Sequence, residues 1–111
     1  MRAIPRALMP DELYVWEPDD SSEYDGAYST TAKRIYNVRF DSNSPIKDSE
    51  YQTSDGMKGV IFIDARTSKG AYQIPEGSLV SLDGVTKMVA IKVTPYKTLH
   101  GRIHHWEIDV G

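Results

Sequence analysis

Residues 103–110 read IHHWEIDV and alternate strictly: His104, Trp106, Ile108 and Val110 share one parity, while His105, Glu107 and Asp109 share the other. A period of two belongs to a strand with one buried face, because successive side chains of an extended chain point to opposite sides. Working outward, Val85–Val93 (VTKMVAIKV) has Val85, Val89, Ile91 and Val93 on one parity, and Asp83-Gly84 before it is a tight-turn signal that joins it to Leu79–Asp83 as a hairpin. Met57–Ala65 (MKGVIFIDA) is apolar through Val60–Ile63, as expected of a strand covered on both faces. Ala32–Phe40 (AKRIYNVRF) sets Tyr36, Val38 and Phe40 against Lys33, Ile35, Asn37 and Arg39, and Glu12–Trp16 (ELYVW) is a short aromatic and branched run. No window supports an amphipathic helix longer than a turn. The reading is all-β, a small antiparallel barrel of about six to seven strands. The expected core is Val38, Phe40, Ile61, Ile63, Val89, Ile91, Trp106 and Ile108.

The 111 residues suit one domain, which we place at 11–111 behind an N-terminal arm, 1–10, punctuated by Pro5 and Pro10. Two polar stretches interrupt the strands, at 17–30 (EPDDSSEYDGAYST) and 41–56 (DSNSPIKDSEYQTSDG), and read as long loops. Charge is uneven: residues 1–55 hold 11 acidic and 6 basic side chains, residues 56–111 hold 5 acidic and 7 basic, and the whole carries a formal charge of −3. That balance argues against a strongly basic nucleic-acid domain. With no cysteine, disulfides, thiolate catalysis and cysteine-ligated metals are excluded. The opening MRAIPRALMP lacks the apolar centre of a secretion signal, and no run approaches the ~18 apolar residues that span a bilayer.

Each candidate for chemistry competes with a plain structural role. His104 and His105 take opposite parities and are poorly placed to grip one ion, while His105 with Glu107 supplies half a metal site at most. Asp64 and Ser68 lack the glycine-flanked elbow of a nucleophile, and the Asp19-Asp20 pair lies among polar residues that would not raise a carboxyl pKa. The glycines form no phosphate-cradling pattern. We therefore expect neither enzyme activity nor a cofactor or metal. Lys33, Arg34, Arg39, Lys87, Lys92, Lys97 and Arg102 with Tyr36 and Tyr96 are the residues from which a single-strand-binding stripe would be built.

Several runs together resemble a known family. Ile4-Pro5 with Arg6–Met9, the Ala32–Arg39 strand, Gly59–Asp64 with Thr67-Ser68-Lys69, and above all Leu99–Ile108 reached from Pro95-Tyr96, resemble the small minor capsid proteins of tailed bacteriophages and prophages of Gram-positive hosts. The chain is also similar to the head-completion, or stopper, proteins of long-tailed phages. That resemblance implies a structural protein of the virion neck, made in the host bacterial cytoplasm during assembly. It would form a ring oligomer, hexameric or a related multiple, that retains packaged DNA and docks the tail. The partners implied are further copies of itself, portal or adaptor proteins, tail-completion or tail proteins, and transiently the packaged double-stranded DNA, with no membrane. By position, 41–56 matches the family's channel loop, giving Asp41, Pro45, Ile46, Lys47, Asp48, Glu50, Tyr51 and Asp55 as candidates for the DNA gate. Ile46 and Tyr51 are its apolar anchors toward neighbours. Arg2, Ile4, Arg6 and Leu8 of the arm are candidates for neck contacts. The competing readings are a small-barrel module for single-stranded nucleic acid or peptide, and a related tail-completion protein.

Overall fold

Six strands close into one antiparallel barrel: β1 (Asp11–Trp16), β2 (Lys33–Ser42), β3 (Gly59–Asp64), β4 (Leu79–Ser81), β5 (Lys87–Lys97) and β6 (Ile103–Val110), in the spatial order β1-β2-β3-β6-β5-β4. The computed structural model describes residues 2–19, 27–42 and 58–111. β1, β3 and β5 finish at one end of the barrel, where β2, β4 and β6 begin; we call this the capped end. The connection from β3 to β4 crosses it, sinks Ile74 into the core, and offers Gln73 Oε1 to the indole N–H of Trp106 at 3.2 Å. The core gathers Leu13, Val15, Ile35, Val38, Ile61, Ile63, Val80, Trp106, Ile108 and Val110, all buried, with Phe40 packed against it from a half-buried position. Gly59 is required where β3 opens. A Cβ there would lie 2.5 Å from the Asp41 carbonyl oxygen and 2.7 Å from the Phe40 ring.

Three bulges decide which side chains enter. Across β1 and β2, Glu12 pairs with Tyr36 and Asp11 with Val38, leaving Asn37 as an extra residue in the left-handed conformation at φ 60°. Asparagine tolerates that region, and the bulge reverses the parity downstream. Ile35 and Val38 therefore both face the core, and Tyr36, grouped by alternation with Val38, faces outward. On β5, Ala90 pairs with Val110 and Lys92 with Asp109, so Ile91 is the extra residue. Met88, Ala90 and Val93 point inward, whereas Val89 and Ile91, expected in the core, are each 37 % exposed. A single parity for Val85, Val89, Ile91 and Val93 does not survive the bulge, and only Val93 of the four is buried. The third bulge, on β6, is at His104: Tyr96 pairs with His105 and Lys97 with Ile103.

The β4–β5 hairpin forms, but not through the two-residue turn that Asp83-Gly84 suggests. Ser81 ends β4 and Lys87 begins β5. Asp83 Oδ1 accepts the amides of Val85 and Thr86 at 2.8 Å each, a side-chain-built turn that leaves Val85 exposed rather than in a strand. β2 runs on through Asp41 and Ser42, so the second polar stretch starts two residues later than expected. Pro45, Ile46, Lys47, Asp48, Glu50, Tyr51 and Asp55 lie outside the described residues, as do 20–26 of the first stretch. The described margins of that first stretch approach each other through a Pro18–Tyr28 bridge.

These burials predict a contrast on one scale. Ile63→Ala should cost about 2–5 kcal/mol in urea unfolding, the range for a fully buried aliphatic side chain. Ile91→Ala should cost less than about 1 kcal/mol, because its bulge directs it to solvent.

Candidate interaction surface

The N-terminal arm is fastened to the barrel by a carboxylate that sequence reading had considered for catalysis. Asp64 closes β3 and is wholly buried. Its Oδ2 accepts the Ile4 amide at 2.8 Å, and its Oδ1 accepts the amides of Arg66 and Thr67, each at 2.8 Å. Thr67 Oγ1 donates back to the Ile4 carbonyl, so the arm is held from both sides of one peptide. Burial alone would raise the Asp64 pKa; the amide donors outweigh it and hold the carboxyl below its ordinary value. Ser68 accepts the Asp64 amide at 2.9 Å and donates to the Asn37 carbonyl at 2.6 Å, which ties the β3 turn to the β2 bulge. The hydroxyl is thus a structural bridge. Of the expected neck-contact residues, Ile4 is half-buried with its backbone committed to the barrel, while Arg2, Arg6 and Leu8 are exposed; Arg6–Leu8 form one 3-10 turn. Met9, which follows, is fully buried.

The His104 bulge corrects the expected separation of the two histidines. Their rings meet edge to face, with Nδ1 atoms 2.9 Å apart. His104 Nε2 faces the Arg2 carbonyl and His105 Nε2 faces a Glu107 carboxylate oxygen at 3.0 Å, so each donates from Nε2. Tyr96 stacks on His105 at 4.9 Å. Among the described residues no three His, Asp or Glu side chains converge on a metal position.

Beside this cluster opens a cleft of about 650 Å³, between the β3 end, the arm at Ala3 and the β5–β6 turn. Arg66, His100 and Arg102 line it and are exposed, and none of them forms an ion pair among the described residues. Its one acidic lining residue is Asp64, already occupied by three amides. Leu99 at the turn tip is fully exposed.

The opposite wall, over β1 and β2, has a different character. Tyr14 and Trp16 stack at 6.1 Å, the Arg34 guanidinium lies 4.6 Å from Tyr14 and 5.0 Å from Tyr36, and Lys87 lies 4.8 Å over Trp16. Each β2 cation is paired: Lys33 with Glu17 at 2.8 Å, Arg34 with Glu12, and Arg39 with Asp41 at 2.9 Å. Glu17 is held below its ordinary pKa by Lys33 and by the Tyr72 hydroxyl, which donates to it at 2.6 Å, while burial and that same hydrogen bond push Tyr72 up. The basic stripe read from the sequence is therefore split. Its β2 members are neutralised locally with their aromatic neighbours covered by cations, and Arg102 belongs to the cleft across the barrel. Tyr14 and Trp16 were missed as part of this surface; the shared parity of Glu12, Tyr14 and Trp16 was the available signal.

The sequence model for the minor capsid protein family matches residues 5–110, and the chain belongs to that family. No curated protein and no solved structure matches it.

Asp64→Asn should lower stability by about 1–3 kcal/mol at neutral pH, since three amides lose a charged acceptor. It should also speed hydrogen exchange at the Ile4 amide. Because folding lowers the carboxyl pKa, its contribution is present above the unfolded value of about 4 and is lost as pH falls through the folded value. Urea midpoints of the two proteins should converge below about pH 4; a constant gap down to about pH 2 would contradict the assignment.

Proposed function

We propose that this member of the minor capsid protein family is a head-completion protein of the phage neck, forming a ring that retains packaged DNA and receives the tail. The observation that carries the reading is the family match over 5–110 on a closed barrel. The family supplies the coarser statement, a structural component of the virion. The barrel supports the finer one. Closure leaves little sheet edge for growth by strand addition, which favours contacts with other subunits through side walls, turns and the arm. A cyclic ring needs two different patches on each copy, and the two walls described above differ in charge and in composition.

Residues 43–56, between β2 and β3, hold Asp48, Glu50 and Asp55 with Lys47 as their one cation, and Asp41 stands near the end of β2. Facing a channel, that charge repels the DNA backbone, and tight phosphate contacts would oppose release of the genome. The single-stranded nucleic-acid reading loses support from the ion-paired β2 cations and from aromatic rings already covered by Arg34 and Lys87.

Reconstruction of the virion should place this barrel as a ring between the portal side and the tail; density only within the capsid shell or the tail tube would overturn the reading. Particles assembled with Asp48→Lys and Glu50→Lys should release DNA more slowly, with stability of the isolated protein changed by less than about 0.5 kcal/mol. Normal release would remove the repulsive role of that segment.

A further inference from the structure

We propose that the outer edge of β5, where the strand runs past β4, is a pairing surface for the same edge of a second copy of this chain, held closed by Glu76 and Pro95. The inference goes beyond the neck reading and does not rest on it.

Unequal strand lengths create the edge. β5 has 11 residues, but β4 pairs only with Lys87–Val89, while β6 covers the other side of β5 from Ala90 to Lys97. Among the described residues, no strand or bridge pairs with the β4 side of β5 beyond Ala90. Amides along such an overhang find other partners or stay open to another chain. Here they are dealt with in turn. The Ala90 amide donates to the Ser78 carbonyl at 2.8 Å, and the Ala90 carbonyl accepts the Gly77 amide at 2.7 Å. After the Ile91 bulge, the Val93 amide points away from β6 and donates to Glu76 Oε2 at 3.0 Å. Orientation alternates along an antiparallel strand, so the next outward position is Pro95, which has no N–H to offer. The one after it is Lys97, exposed and charged at the end of the strand.

β2 has the same arrangement where it passes the end of β1: the Phe40 amide donates to Asp11 Oδ2 at 3.1 Å. A carboxylate thus takes the place of a missing strand's carbonyl twice in one barrel. The β5 overhang is the one suited to a partner. Exposed Ile91 and Tyr96 lie along it, whereas the β2 overhang carries the Arg39–Asp41 ion pair. Glu76 is itself exposed, so a strand carbonyl can replace it on Val93 without opening the core. The partner that fits is a second copy. Two β5 edges laid antiparallel about Pro95 are related by a two-fold axis, so one edge serves both copies. That register sets Val93 against the partner's Lys97 and Tyr96 against the partner's Thr94, an aromatic ring beside a β-branched side chain.

The test compares the full chain with variants that open the edge. In sedimentation over a concentration series, Glu76→Ala with Pro95→Val should tighten self-association by about tenfold or more, while Glu76→Gln, which keeps an acceptor oxygen, should leave it unchanged. Glu76→Ala alone should speed hydrogen exchange at the Val93 amide by about tenfold in dilute solution. In the double variant that amide should regain protection as concentration rises. A folded double variant that associates no more tightly than the unaltered chain would overturn the inference. So would association that leaves Val93 exchange independent of concentration, because the contact would then lie elsewhere. If the double variant does not fold, Glu76→Ala carries the test: unchanged exchange at Val93, or no gain in self-association, overturns the inference. None of these results bears on the ring proposed for the neck, which is read from the virion reconstruction.

Discussion

Closure of the barrel passes through a strand of three residues. Leu79–Ser81 pairs with Trp16–Tyr14 on one side and with Val89–Lys87 on the other, and it is the one strand joining β1 to β5. So short a ladder is weak by itself and is supported from both ends. Ser78 and Ala90 extend its pairing with β5, since the Ala90 amide donates to the Ser78 carbonyl at 2.8 Å and the Gly77 amide to the Ala90 carbonyl at 2.7 Å. At the other end Ser81 Oγ accepts the Gly84 amide and donates to Asp83. Val80, fully buried, supplies the apolar anchor. Without this seam β1 and β5 would be exposed edges, which sheet proteins otherwise protect against pairing with other chains.

The strands were legible because most of them alternate and turn chemistry separates them. Orientation was legible only between bulges. At Asn37, Ile91 and His104 one residue drops out of the ladder, and a two-fold periodicity continued across such a point assigns the next segment to the wrong face. That accounts for Tyr36, for Val89 and Ile91, and for the two histidines that touch. Nothing local marks Ile91 as a bulge. Its position follows from the pairing of Ala90 with Val110 and Lys92 with Asp109, residues far apart in sequence. Asn37 did carry a signal, as asparagine is one of the few residues at ease with positive φ. The cleft was illegible for a related reason: Arg66 and Arg102 are 36 positions apart and meet only because β6 inserts between β3 and β5.

The Asp64 latch shows why a titratable residue in a small fold need not signal catalysis. A carboxylate at the end of β3 offers two oxygens where three peptide amides lack strand partners. The group that would be reactive in an open pocket is here consumed in joining the arm, the β3 turn and, through Ser68, the β2 bulge. The arm thereby becomes one wall of the cleft at Ala3.

This coupling links the arm to the surface of the cleft. Arg66 donates its amide to Asp64 while its side chain lines the cleft, so its backbone supports the latch and its side chain shapes the surface beside it. Loss of the latch would therefore alter the shape of the cleft as well as the attachment of residues 2–10, whereas loss of the Arg66 side chain would leave the backbone amide, and so the latch, in place. Latch and surface are separable at this position: one is carried by the peptide group and the other by the side chain, a division that lets a small barrel change its surface without changing its core.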